Sequence, residues 1–82
     1  MRKYAIVQSK DKVKKIMIYE ADQEVYLFTY ETIEDLPCCQ DYWFETLVEA
    51  EDYCKEVFGE VEWIRIEDPR EGDQQDLIGV IL

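Results

Sequence analysis

Between Lys3 and Glu31 the sequence falls into three short runs, "KYAIVQS" (Lys3–Ser9), "VKKIMIYE" (Val13–Glu20) and "EVYLFTYE" (Glu24–Glu31). The links between them, "KDK" and "ADQ", are only three residues long. Each run is rich in β-branched and aromatic residues, the types that fit a pleated surface. A parallel pairing needs a crossover of a dozen or more residues, so links this short predict an antiparallel meander. In the third run Tyr26, Phe28 and Tyr30 alternate with Val25, Leu27 and Thr29, which gives both faces apolar side chains. One face is expected to pack on a helix. The other would present tyrosine bodies, partly exposed or covered by a partner or by the C-terminal tail.

The helix is predicted at Leu47–Phe58, after a loop around Pro37 that runs through "QDYWFE". Thr46 is a suitable N-cap, and Glu49 three residues on completes a capping box. Glu49, Glu51 and Asp52 suit the positive end of the helix dipole, and Glu51 stands four residues before Lys55 in the favourable order. Leu47, Ala50, Cys54, Val57 and Phe58 recur at helical spacing as one apolar stripe. Gly59 then supplies the stop. "EVEWIRIE" (Glu60–Glu67) reads as a further strand, "DPREGDQQD" as a turn-rich loop, and "LIGVIL" (Leu77–Leu82) as a short terminal strand or docked segment. The expected fold class is therefore α+β: an antiparallel sheet in the order β-β-β-α-β with a short C-terminal strand, and one helix packed on one face.

Eighty-two residues are expected to form a single domain, 1–82. Apolar content of 48% is too high for a disordered chain. No run of about 18 apolar residues is present to span a membrane, and the N-terminal apolar run is too short for a signal peptide. Three cysteines, an odd number, favour free thiols in a reducing compartment, so a cytoplasmic location is expected. The net charge of −11 is uneven. Residues 1–15 carry +5, and residues 16–82 carry −16 from 19 acids against Lys55, Arg65 and Arg70. Such a field repels nucleic acid and anionic membrane and attracts basic partners; it also serves solubility.

Several chemistries are disfavoured by the residues themselves. The chain contains no histidine, which removes the Ser-His and Cys-His nucleophile systems. Cys38 and Cys39 are adjacent rather than spaced for zinc, and a disulfide between neighbours is strained. Glu34, Asp35 and Asp41 around them would raise a thiol pKa. Cys54 reads as a small core residue. Carboxylate pairs abound by chance among 20 acids, and a chain this short encloses little cavity. Asp68, Glu71, Asp73 and Asp76 have the types for calcium without the EF-hand spacing, and a solvated turn is the simpler reading. The lysines of Lys10–Lys15 could hold a phosphate or nucleotide. As a hairpin tip they would instead discourage edge pairing and balance the acidic remainder. Trp63 is expected in the core. Trp43, beside Tyr42 and Phe44, is either a lid on the core or an exposed interface anchor, and Phe44 is placed to staple the helix start.

The segments "DYWFETLVEAEDYCKEVFG" and "VEWIRIEDPREGDQQDLIGVI" resemble small bacterial proteins of uncharacterised function. These place an aromatic cluster before a short acidic helix, then a tryptophan-bearing strand and a D-P-x-x-G-C-Q-x-D-W-I segment. Asp68, Pro69, Gly72, Gln74, Asp76 and Ile78 fit that pattern. Asp73 stands where cysteine is expected and Leu77 where tryptophan is, and the resemblance spans residues 41–80. It implies the order of elements and no activity.

The leading functional expectation is a non-catalytic protein that binds and neutralises a partner with a basic surface. Immunity proteins, antitoxins and bacterial or phage anti-defence inhibitors work in this way. Its partner-binding residues would be Glu34, Asp35, Asp41, Tyr42, Trp43 and Glu45, with no catalytic residue, cofactor or metal. The alternative is a small-molecule or nucleotide sponge acting as a homo-oligomer, using the tyrosine face and the Lys10–Lys15 cluster.

Overall fold

A computed structural model describes residues 1–8 and 11–78. These form five strands and one helix: β1 (Arg2–Ile6), β2 (Lys15–Glu20), β3 (Val25–Tyr30), β4 (Gln40–Phe44), α1 (Leu47–Phe58) and β5 (Ile64–Ile66). All strand pairs are antiparallel and the sheet order is β4-β3-β2-β1-β5. The α+β class and the single helix on one sheet face agree with the sequence reading, and the first three strands form the expected meander. The order of elements gains one member, because Gln40–Phe44, read as part of a loop, is a strand paired to β3. Leu77 and Ile78 are not in a strand, and the rest of the terminal segment lies outside the described residues.

The position of α1 follows from connectivity. It begins two residues after one edge strand, β4, and delivers the chain to the opposite edge, β5. Twelve helical residues span about 18 Å at 1.5 Å per residue. Four inter-strand gaps of about 4.8 Å make a sheet of nearly the same width. The helix is therefore long enough to cross the whole face once.

Both of its ends are set locally. The Thr46 hydroxyl accepts from the Glu49 amide at 3.2 Å, as the capping box predicts, and donates to the Glu49 carboxylate at 3.2 Å. Gly59, at φ 80° and ψ −159°, occupies a conformation open to glycine, and its amide donates to the Lys55 carbonyl at 3.0 Å. Glu51 pairs with Lys3 of β1 rather than with Lys55, which lies 3.5 Å from Glu60. Ala50 and Cys54 are fully covered, while Val57 is half exposed and Tyr53 takes its place against the sheet. Phe44 packs on Tyr53, two turns into the helix, with 5.5 Å between ring centres.

The sheet has a core on each side. Under the helix, Ala5, Val7, Ile16, Ile18, Val25 and Leu27 meet Ala50 and Cys54, with Leu47, Phe58 and Trp63 at the margin. Lys3 lies over the Trp63 ring at 4.7 Å. Full burial of each large aliphatic side chain contributes about 1.5–3 kcal/mol. On the other side Met17, Phe28 and Tyr30 form a second cluster, bordered by Tyr4, Tyr19, Tyr26, Cys38, Ile66 and Ile78. It is covered by the chain itself, through the 31–39 loop and the segment 67–78. Among the described residues no helix is long and apolar enough to cross a membrane.

Candidate interaction surface

The face opposite the helix is built in rows by register. Trp43, Tyr26, Tyr19 and Arg2 lie side by side across β4, β3, β2 and β1; the next row holds Asp41, Phe28, Met17 and Tyr4. Tyr30 and Lys15 follow, towards the other end of the strands. The covering segments close over Tyr30, Lys15 and Arg2; they leave open the Trp43 corner and, across the sheet from it, Ile6 of β1 and Ile64 of β5, which are 51% and 47% exposed.

The closure consists of polar ties over an apolar cluster. Arg2, 4% exposed, donates from Nε to the Glu67 carbonyl at 2.7 Å, and from Nη1 to the carbonyls of Gln75 (3.0 Å) and Leu77 (2.6 Å). The Tyr30 hydroxyl donates to the Asp76 carbonyl at 2.5 Å. The Asp76 carboxylate accepts from the Cys38 amide at 2.8 Å, and the Asp35 carboxylate from the Ile78 amide at 2.7 Å. Lys15 is wholly buried, its ammonium 2.8 Å from the Glu34 carbonyl and 4.4 Å from the Tyr30 ring centre. Burial pulls its pKa down, opposed by Asp35. Burial also raises the Tyr30 phenol and pushes the Cys38 thiol up to about 12, where Asp76 adds to the effect. For Asp76 itself burial acts upward, but hydrogen bonds from Cys38 and Gln74 win and hold the carboxyl below its ordinary value.

These ties bear on the two lesser alternatives, a phosphate-binding lysine cluster and a calcium-type group of acids. Lys15 belongs to a central strand and is sealed under the 34–35 turn, so it cannot join a phosphate-binding lysine cluster. Lys12 and Lys14 are exposed, and Lys10 lies outside the described residues. The acids of the last loop do not converge either. Asp68 is 2.9 Å from the Met1 ammonium, Asp73 accepts from the Arg70 amide at 3.0 Å, and Asp76 is buried against Cys38. Among the described residues no group of three or more His, Cys, Asp or Glu side chains is arranged around a common metal position.

The six residues expected to bind a partner are divided by the strand geometry. Asp41 and Trp43 point to the open face, opposite Phe28 and Tyr26. Tyr42 points to the helix side, its ring 5.8 Å from Tyr53. Glu45 follows β4 at the entrance to the helix. Glu34 and Asp35 lie in the covering turn near Lys15, four residues along β3 from Tyr26, or about 13 Å. The surface thus centres on Trp43, which is 54% exposed. Tyr26 extends it, stacked on Tyr19 with ring centres 6.2 Å apart at 22°, and on Phe28 at 6.1 Å and 4°.

Carboxylates frame these rings. The Tyr26 hydroxyl donates to Glu24, and that bond raises the phenol pKa, with a smaller contribution from Asp41. Beyond Tyr19 lies a polar cleft of about 440 Å³ lined by Glu20, Asp22 and Asp68. On the helix side, an open groove of about 700 Å³ runs past Tyr42, Tyr53 and Val57 to Lys12 and Glu31. The sequence reading missed Tyr19, Tyr26 and Glu24 as parts of the Trp43 surface. The signal was the alternation of β3 itself, which puts Tyr26 on the face away from the helix.

No family model matches the chain, and neither the curated proteins nor the solved structures gave a match.

Proposed function

We propose that this protein is a non-catalytic binding protein that neutralises a basic protein partner in the cytoplasm, in the manner of immunity proteins, antitoxins or phage anti-defence inhibitors. The observation that carries the reading is an exposed tryptophan at an open sheet corner, ringed by carboxylates, on a chain of net charge −11. More than half of the Trp43 surface is in solvent, and that exposure favours contact with something outside the fold. Asp41, Glu24 and the acids beyond Tyr19 give the approach its sign. A basic partner would be steered by the field and then anchored by the desolvated indole, which are separate contributions to rate and residence.

Two of the three thiols fit a binding role better than a nucleophilic one. Cys38 and Cys54 are both pushed up to about 12, chiefly by burial, and supply little thiolate at neutral pH. The test is capture of partners from the native host on immobilised protein, in parallel with Trp43→Ala and across a salt series. A basic protein retained at low salt, released as salt rises and lost with a folded Trp43→Ala variant supports the reading. Capture that is indifferent to both salt and Trp43 refutes it.

A further inference from the structure

The open corner is also a sheet edge, and hydrogen-bond parity fixes which atoms that edge offers. The Ala21 amide donates to the Glu24 carbonyl at 2.9 Å, so Glu24 faces β2. Backbone direction alternates along a strand. Tyr26, Phe28 and Tyr30 therefore also bond to β2, and Val25, Leu27 and Thr29 bond to β4. Their partners are Phe44, Tyr42 and Gln40. Asp41 and Trp43 are left with their N–H and C=O groups turned outward. Among the described residues no backbone group outside the sheet bonds to the Asp41 or Trp43 main chain. The same two residues carry the carboxylate and the indole of the open face, so the outward main chain and the recognition side chains coincide.

The geometry points to strand addition at β4 by an extended cationic segment of the partner, one with lysine or arginine at alternate positions. This deepens the binding role proposed above and rests on it. An antiparallel strand that exchanges bonds with Asp41 and Trp43 sets its own residues directly across from them on the same face, about 5.5 Å away. Two such residues are separated by one intervening position. A cation at the first meets the Asp41 carboxylate; a cation at the second lies against the Trp43 ring, as Lys3 lies over Trp63 elsewhere in this fold. The residue between them faces Tyr42 on the helix side.

The other candidate edge, β5, has three residues with Arg65 at their centre, which opposes a cationic strand. The five residues of β4 contain no lysine, arginine or proline, the usual guards of a free edge. A second copy is the competing occupant, and it would bring another net charge of −11 to the same edge.

The test uses the whole protein and labelled peptides. One peptide alternates lysine with valine; a second has the same composition with its lysines adjacent; a third is the alternating peptide N-methylated at the residues that would face Asp41 and Trp43. Fluorescence anisotropy gives affinity, and amide exchange by NMR reads the Asp41 and Trp43 N–H groups directly. The alternating peptide is expected to bind at least about tenfold more tightly than the N-methylated one, because two main-chain bonds are lost. It is also expected to slow exchange at Asp41 and Trp43 and to prefer the edge over the adjacent-lysine peptide. Equal affinity of all three with unprotected amides overturns strand addition, while salt-dependent, Trp43-dependent capture of a basic protein would leave the binding role standing. No binding by any of the three also overturns it. A dimer by sedimentation, with both amides already protected without peptide, assigns the edge to a second copy and overturns it as well.

Discussion

Asp76 provides the sharpest test of how the second core is closed. Its carboxylate sits at the centre of a tie in which the Cys38 amide donates to Oδ2 at 2.8 Å and Gln74 adds a further hydrogen bond. Its own carbonyl receives the Tyr30 hydroxyl. Asp76→Ala removes the carboxylate and keeps the carbonyl, so the loss can be assigned. A hydrogen bond to a charged acceptor contributes about 1.5–3 kcal/mol, and the stranded Cys38 amide is half-buried, so a destabilisation of about 2 kcal/mol is expected. In a domain of this size that lowers Tm by about 10 °C. Asp76→Asn keeps an acceptor for the Cys38 amide and should lose about half as much. Urea unfolding followed by circular dichroism measures both variants. Because Asp76 also raises the Cys38 thiol, the alanine variant should react faster with a thiol reagent at Cys38. A loss below about 0.5 kcal/mol for Asp76→Ala, or equal losses for the two variants, would refute the tie as an energetic element.

The same residue gives a pH dependence with a definite sign. The folded carboxyl lies below its ordinary value, so between the folded and unfolded pKa values the unfolded chain binds more protons. Its contribution is full above about pH 4, the unfolded carboxyl value, and is lost as pH falls through the folded value. Wild-type protein should therefore lose its advantage over Asp76→Asn on acidification, and the two unfolding midpoints should converge below that range.

Other consequences are more direct. Arg2→Met leaves the carbonyls of Glu67, Gln75 and Leu77 without their donor; a loss of about 2–4 kcal/mol is expected, with earlier proteolytic cleavage in 67–78. Thr46→Ala removes the cap on the Glu49 amide and should cost about 1 kcal/mol by denaturant unfolding. Cys39 is exposed, Cys38 half-buried and Cys54 buried, so titration with a thiol reagent should modify Cys39 first and need denaturant for Cys54. Trp43→Ala should lose about 1–2 kcal/mol, from the covered half of the side chain and its pairing with Tyr26, and stay folded by circular dichroism.

The elements that could be read from sequence are those whose causes are local. The bounds of α1 match because Thr46, Glu49 and Gly59 act within one turn of the helix ends. The meander follows from link length and alternation. The strand β4 escaped because "QDYWF" is short, opens on two polar residues and runs almost directly into a helix cap. Its own alternation, Asp41 and Trp43 against Tyr42 and Phe44, was the available signal. Arg2, Lys15 and Asp76 escaped for another reason. Their charges end on backbone groups 19 to 75 residues away, and composition assigns such charges to the surface. A buried cation whose hydrogen bonds go to carbonyls is not betrayed by an acid at a regular spacing in the sequence.

The two sides of the sheet thus solve one problem by different means, and the difference bears on where binding can occur. Among the described residues there is one helix, and it is long enough to span the sheet once. The opposite face must then be covered by irregular chain, whose buried backbone groups each need a partner. Arg2, Lys15, Tyr30 and Asp76 provide those partners, and they cluster where the loop and the tail cross. Their reach ends before the Tyr19–Tyr26–Trp43 row, whose Trp43 end is left to solvent. Covering it from within would take more chain and more buried polar ties. A partner strand on β4 would supply both its own main-chain bonds and the missing cover, so the edge and the open aromatic row are one site.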